Sequence, residues 1–299
     1  MSYFRGYDPL AESNNSRLTN IEVITLKDRE IKRAVREGYA RIAKQATSYY
    51  ASRRCCGTDV HEDLSKRIGY TEEELKAAPP ESNLGLGCGN PVALASIREG
   101  DTVLDLGSGA GFDCFLASYR VGPKGMVIGV DMTSEMVEKA RANAMKGNYT
   151  NIDFRQGELE NMPVADNYID VVISNCVINL VPDKRRVFKE AFRVLKPGGR
   201  LAVSDIVLLK ELPDFVKMST EAYIGCLAGA IMKASYIEAM RSAGFQEIRI
   251  VDESSFPIEC LIFDAVGPAF INMPKTSPEQ LKEVEESISS IKVVAVKPQ

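Results

Sequence analysis

The sequence predicts an α/β protein built around a doubly wound parallel sheet, on three observations. From Asp101 to Asp205, short β-branched runs alternate with amphipathic stretches of helical period, the rhythm of a parallel sheet covered on both faces. The runs are nearly continuous in hydrophobicity, as strands buried on both sides must be. The chain has 299 residues, 45% hydrophobic and 26% charged, enough for one large domain with a smaller appendage.

Taken in order, residues 1–26 are polar and irregular and read as a surface arm. From Asp28 to Ala51, Ile31, Val35, Tyr39, Ile42, Ala46 and Tyr49 recur at helical spacing between charged residues. Gly57 and Thr58 break that pattern after Cys55-Cys56, and a second helix is expected over 60–68. A third opens at Thr71, with Glu74 three residues on as in a capping box, and Pro79-Pro80 ends it. SNLGLGCGNP (82–91) is a glycine-rich loop around Cys88. Strands are expected at 102–106, 126–130, 151–155, 169–174 and 200–205, with helices at 111–120, 134–146 and 183–195. Beyond Asp205, helices at 213–229 and 233–243 and strands at 246–252 and 256–262 suggest a smaller C-terminal α+β domain. The expected division is 1–72 for an N-terminal arm and helices, 73–208 for the sheet domain, and 209–299 for the substrate side.

Composition narrows function. The net charge of −4 leaves no basic surface for nucleic acid. No run approaches the ~18 apolar residues that span a bilayer. The N-terminal MSYFRGYDPLAESNN lacks the basic-then-apolar pattern of a signal peptide, so a soluble cytoplasmic protein is expected. Seven cysteines are too sparse for a disulfide scaffold and in a reducing compartment read as core residues, metal ligands or reactive thiols. The single histidine, His61, excludes multi-histidine metal sites and leaves little for histidine-based hydrolysis.

Two stretches mark a nucleoside site. Val103-Leu104-Asp105-Leu106-Gly107-Ser108-Gly109-Ala110-Gly111 is a strand running into a glycine turn and a helix, and the next strand, MVIGVD, ends on Asp131. A carboxylate there can accept hydrogen bonds from both ribose hydroxyls. The glycines read GxGxG, and Asp105 precedes the turn by two residues. That acid would repel a pyrophosphate but attracts an α-amino group, which favours S-adenosylmethionine over NAD. With Gln156-Gly157-Glu158-Leu159, Ile169-Asp170 and Arg193-Val194-Leu195-Lys196-Pro197-Gly198-Gly199, the succession over about 73–208 resembles the class I S-adenosylmethionine-dependent methyltransferases. The resemblance implies a Rossmann-like methyltransferase sheet, with Gly107, Gly109 and Gly111 at the methionine end, Asp131 on the ribose, Met132 against the adenine ring and Glu158-Leu159 at its edge. Asn175, at the carboxyl end of its strand, is expected among the cofactor contacts.

Most O- and N-methyltransferases need a base, and this chain has almost no imidazole to offer. A nucleophile with a lone pair and no proton avoids the need. Cys176 lies at the sheet's carboxyl edge, Cys88 is flanked by glycines, and Cys226 sits on an expected helix among small residues. Cys55-Cys56 is a vicinal pair, while Cys114 and Cys260 read as structural. Three thiols on separate segments without CxxC spacing do not resemble a zinc finger. Thiolates select soft ions, and a trivalent metalloid takes three sulfurs in a pyramid and keeps a lone pair.

NLGLGCGNP, SNCVINLVPDK and GCLAGA are similar to signature stretches of the arsenite S-adenosylmethionine methyltransferases, and the resemblance covers about 28–265. It implies that Cys176 and Cys226 hold As(III), that Cys88 is the third ligand or redox partner, and that one of Cys55 and Cys56 is a relay thiol. The expected substrate is arsenite or its thiol adduct, giving mono- and dimethylated products, with a thioredoxin- or glutathione-type reductant for turnover. The alternatives are a quinone, sterol or phenol methyltransferase with dispensable cysteines, and a metalloid-binding protein without catalysis.

Overall fold

The structure, a computed structural model, describes residues 28–44, 60–256 and 277–299. Cys55, Cys56, Cys260 and most of the strand expected at 256–262 lie outside the described residues. Residues 28–44 form helix α1. Helices α2 (Val60–Arg67) and α3 (Glu72–Ala77) follow. The Thr71 hydroxyl accepts from Glu74 N while Glu74 accepts from Thr71 N, so the capping box forms as its spacing predicts.

The core is one seven-stranded sheet in the order β3-β2-β1-β4-β5-β7-β6. Its strands β1 (Thr102–Leu106), β2 (Met126–Asp131), β3 (Ile152–Gln156), β4 (Ile169–Asn175) and β5 (Leu195–Leu208) are parallel. Strand β7 (Ile288–Val296) runs antiparallel between β5 and β6 (Gln246–Ser254). Helices α4 (Pro91–Leu94), α5 (Phe112–Val121), α6 (Ser134–Lys146) and α7 (Lys184–Val194) pack on the parallel strands. The order reverses between β1 and β4, which opens a crevice beyond the carboxyl ends of those strands.

The described strands of 209–299 join the main sheet: β7 pairs with β5 from Arg200↔Val296 to Leu208↔Ile288 and covers an edge that would otherwise be open. One expectation needs correction. The helix expected over 213–229 is two short ones, α8 (Asp214–Lys217) and α9 (Thr220–Ile224). Ser219 caps the second through its hydroxyl, and Gly225 closes it, so Cys226 lies past the helix instead of on it. Helices α10 (Lys233–Ser242) and α11 (Pro278–Glu285) are the remaining described α-helices.

Because β7 is internal to the sheet, its side chains are core. Ile291 is wholly buried in the cluster that holds Leu201, Val203 and Tyr236. Ile291→Ala is expected to lower stability by about 3 kcal/mol, read as a shifted denaturant midpoint at unchanged slope.

Candidate active site

A cleft of about 1430 Å³, its open mouth included, lies at the carboxyl edge of the sheet. Asp105, Gly107, Ser108, Asp131, Met132 and Leu159 line one part of it, and Cys176 and Cys226 line another. Asp131 closes the β1 turn onto β2, accepting from Gly109 N at 3.0 Å and Thr133 N at 2.8 Å. Gly111 also borders this turn, as the left-handed residue that starts α5. The Ser108 hydroxyl is buried with no partner among the described residues, although it was not singled out from the sequence.

Glu158 lines the cleft, and its carboxylate pairs with Lys32 at 2.8 Å and Arg36 at 3.4 Å. Lys32 also meets Glu160 at 2.7 Å. Helix α1 thus lies along the cleft, and its Tyr39 hydroxyl reaches Ile224 O at 3.3 Å, two residues before Cys226. These α1 contacts join segments more than a hundred residues apart, so no local pattern signals them.

A second residue missed in the sequence is Asp113, which forms an acid pair with the expected Asp105. Asp105 and Asp113 are both buried, and both border the cleft. Burial pushes the Asp113 carboxyl up to about 6, against hydrogen bonds from Tyr70 (2.6 Å) and Asn175 (3.1 Å). Burial, the Asp113 charge and Asp131 hold Asp105 well above the usual carboxylate range, and the Cys114 thiol donates to it at 3.2 Å. Cys114 is wholly buried, in keeping with a structural role.

Cys88, Cys176 and Cys226 meet in one buried apolar cluster at 3%, 8% and 6% exposure. Cys176 and Cys226 both take left-handed backbone, with φ of 57° and 63°. This region is costly for side chains other than glycine and asparagine, and its use at two cysteines marks a site where geometry is imposed. Cys176 N donates to Ser204 O at 2.8 Å, and the Cys226 thiol donates to Cys176 O at 2.7 Å. Two loops reach this point because they carry glycine. A Cβ on Gly87 (φ 119°) would press on the Asn175 amide, and one on Gly229 would strike Asn179 O.

Cys88 is pinned from both sides: its N–H donates to Asn175 Oδ1 at 3.0 Å, and Ser290 of β7 donates to its carbonyl at 2.9 Å. Burial pushes its thiol up, partly offset by a hydrogen bond from Cys176. The Cys226 thiol draws the Cys176 thiol down, but its hydrogen bond to Cys88 and its burial hold it well above the ordinary range. The Cys88, Cys114 and Cys176 thiols are therefore protonated at neutral pH. Beside them lies Asp205, fully buried, pushed up to about 7 by burial against hydrogen bonds from Tyr236 and Ile206 N.

A methyltransferase domain matches residues 97–244. The arsenite methyltransferase of Halobacterium salinarum is 46% identical over 236 residues, 76% of this chain and 60% of that protein. That of Rattus norvegicus is 32% identical over 275 residues, 84% of this chain and 71% of the rat protein. The crystal structure of an arsenic(III) S-adenosylmethionine methyltransferase from Chlamydomonas reinhardtii superposes with a TM-score of 0.57 at 32% identity, covering 82% of this chain and 75% of that one. The chain thus spans about three fifths of the Halobacterium relative's length and nearly three quarters of the rat one's. With the methyltransferase strand order and the cysteine cluster at its carboxyl edge, these likenesses show that the chain belongs to the arsenite methyltransferase family.

Proposed function

We propose that the chain transfers the methyl group of S-adenosylmethionine to arsenic(III) held by Cys88, Cys176 and Cys226. The observation that carries this reading is the meeting of three buried thiols, two of them on left-handed backbone, in and beside the cleft that Asp105 and Asp131 border. The cleft suits the cofactor. Ser108 offers a buried hydroxyl without a partner among the described residues, Asp131 stands where ribose is bound in this fold, and the Asp105–Asp113 pair faces a place for a cationic α-amino group.

When bound, S-adenosylmethionine supplies an electrophilic methyl on a sulfonium sulfur. The protein's part is to hold the acceptor. Each thiol hydrogen leaves with an arsenic hydroxyl as water, so protonated thiols are the competent form and no base is needed. Three sulfur ligands leave arsenic one lone pair, which the fixed cysteines direct toward the methyl. Juxtaposition of this kind can supply ~7–11 kcal/mol of the acceleration. Loss of the lone pair to carbon leaves arsenic formally pentavalent. Two protein thiolates joining as a disulfide return the two electrons, and an external dithiol of the thioredoxin or glutathione type then reduces that disulfide. Cys55 or Cys56 is the relay thiol in this scheme. The comparisons do not favour the quinone, sterol or phenol alternative.

Mass spectrometry of products from purified protein, arsenite, S-adenosylmethionine and a dithiol tests the reading. Mono- and dimethylated arsenicals are expected, and their absence with folded, cofactor-binding protein would overturn it.

The buried acids predict an unusual pH profile for the ligand-free protein. Asp113 and Asp205 have folded pKa values raised to about 6 and about 7, so the folded state binds more protons than the unfolded one. Their contribution is fully present below the unfolded carboxylate range and is lost as pH rises through the folded values. For Asp113 this amounts to roughly 3 kcal/mol between pH 4 and 7. Thermal stability is therefore expected to fall from pH 5 to 7.5. S-adenosylhomocysteine, which carries the same α-amino cation, is expected to flatten that fall. A melting temperature that rises over this interval would contradict the assignment.

A further inference from the structure

The cluster beside the cleft contains a donor that the arsenic reading leaves unused. Sulfur atoms of Cys88 and Cys176 and a carboxylate oxygen of Asp205 all lie within 4.8 Å of one another, and all three residues are buried. Asp205 is held on both oxygens. Oδ1 accepts from Asn179 Nδ2 at 2.8 Å and Ile206 N at 3.0 Å, and Oδ2 accepts from Tyr236 at 3.0 Å. Asn179 is itself fixed, its amide also donating to Ile206 O at 2.7 Å. A carboxylate oriented by outer partners from three elements is how proteins present an oxygen to a metal ion.

We propose that Cys88, Cys176 and Asp205 form a second binding mode at this place, for a thiophilic divalent ion such as Zn²⁺ or Cd²⁺. The mode does not depend on the arsenic reading, though it shares two sulfurs with it. Arsenic(III) is satisfied by three sulfurs and gains little from a carboxylate. A d¹⁰ divalent ion takes mixed sulfur and oxygen ligands in a tetrahedron, with water completing the set. On binding, the two thiol protons pass to solvent and the ion takes two thiolates and one carboxylate. The buried Lys184, whose ammonium donates to Asn179 O and Val181 O, supplies positive charge near this anionic set. Occupancy withdraws two of the three sulfurs arsenite requires, so the ion inhibits methylation in competition with arsenite. Asp205 marks the difference between the modes on one side, and Cys226 on the other.

The test is Zn²⁺ titration of the reduced 299-residue protein against a chromophoric chelator, with Co²⁺ as a spectroscopic probe of sulfur ligation. Arsenite binding is measured in parallel. Both Cys55 and Cys56 are replaced by serine throughout, which removes another thiol pair. Asp205→Asn and Cys88→Ser are expected to weaken Zn²⁺ about tenfold or more. Cys226→Ser is expected to weaken arsenite binding about tenfold or more and leave Zn²⁺ binding and the sulfur–Co²⁺ absorption in place. If Asp205→Asn fails to fold, the Cys88→Ser and Cys226→Ser pair decides: loss of Zn²⁺ in the first alone supports the mode, and an equal loss in both overturns it. A parent protein that binds no Zn²⁺, or an Asp205→Asn variant that folds and binds it unchanged, also overturns it. Zn²⁺ binding without arsenite binding would sink the arsenic reading and leave this one standing.

Discussion

Cys176→Ser and Cys226→Ser are each expected to abolish arsenite methylation, by at least ~100-fold, while leaving cofactor affinity and melting temperature unchanged. The exchange is nearly isosteric, so whatever it removes is chemical. At Cys176 the main-chain bond to Ser204 survives, and at Cys226 a serine hydroxyl still reaches Cys176 O, so the left-handed turns keep their fastenings. The acids proposed to face the cofactor, Asp105 and Asp131, belong to other strands. What disappears is one soft ligand of the three proposed. An alkoxide is a poor substitute for thiolate on arsenic(III), and a doubly ligated ion keeps a hydroxyl and no fixed lone-pair direction. Transfer of labelled methyl to arsenite, with cofactor binding by equilibrium dialysis, separates these quantities. Wild-type rates in both variants would end the arsenic reading. Loss of activity together with loss of cofactor binding would make the cysteines structural.

The contrast between what could and could not be read beforehand follows the range of the interactions. Thr71 and Glu74 speak to each other across one helical turn, and their spacing predicts the cap that forms. Strands β1, β2 and β4 are buried on both faces, so their hydrophobic runs show without any partner. Strand β7 hides because its first residues, Ile288-Ser289-Ser290, resemble a turn, and its place is decided by pairing with Arg200–Leu208 far up the chain. Its valine-rich end, Val293-Val294-Ala295-Val296, was the available signal. Cys226 was legible as a thiol but not in its conformation, since GCLAGA favours helix locally while the Ser219 cap and Gly225 end it early. Asp205 and Asp113 look like ordinary strand-end and helix-start acids, and only burial among other groups makes them unusual.

Asn175→Ala is expected to damage both halves of the site at once, with a stability loss of about 2–4 kcal/mol. The Asn175 amide is the junction between them. Its oxygen accepts from Cys88 N, and its nitrogen donates to Gly89 O at 2.8 Å, the Tyr70 hydroxyl at 2.9 Å and Asp113 at 3.1 Å. Alanine leaves the buried Cys88 N–H and the Asp113 carboxylate short of partners, and buried groups without partners carry their full desolvation cost. It also opens space beneath Gly87, whose close approach to this amide sets the path of the Cys88 loop. Arsenite affinity should therefore fall although no sulfur has been touched, and cofactor affinity should fall with it because Asp113 loses an anchor. Asn175→Asp separates the roles. It keeps an acceptor for Cys88 N but sets a third carboxylate against Asp105 and Asp113, so it should spare arsenite binding more than cofactor binding. If Asn175→Ala weakens only one ligand, the two halves are independent and Asn175 serves that half alone.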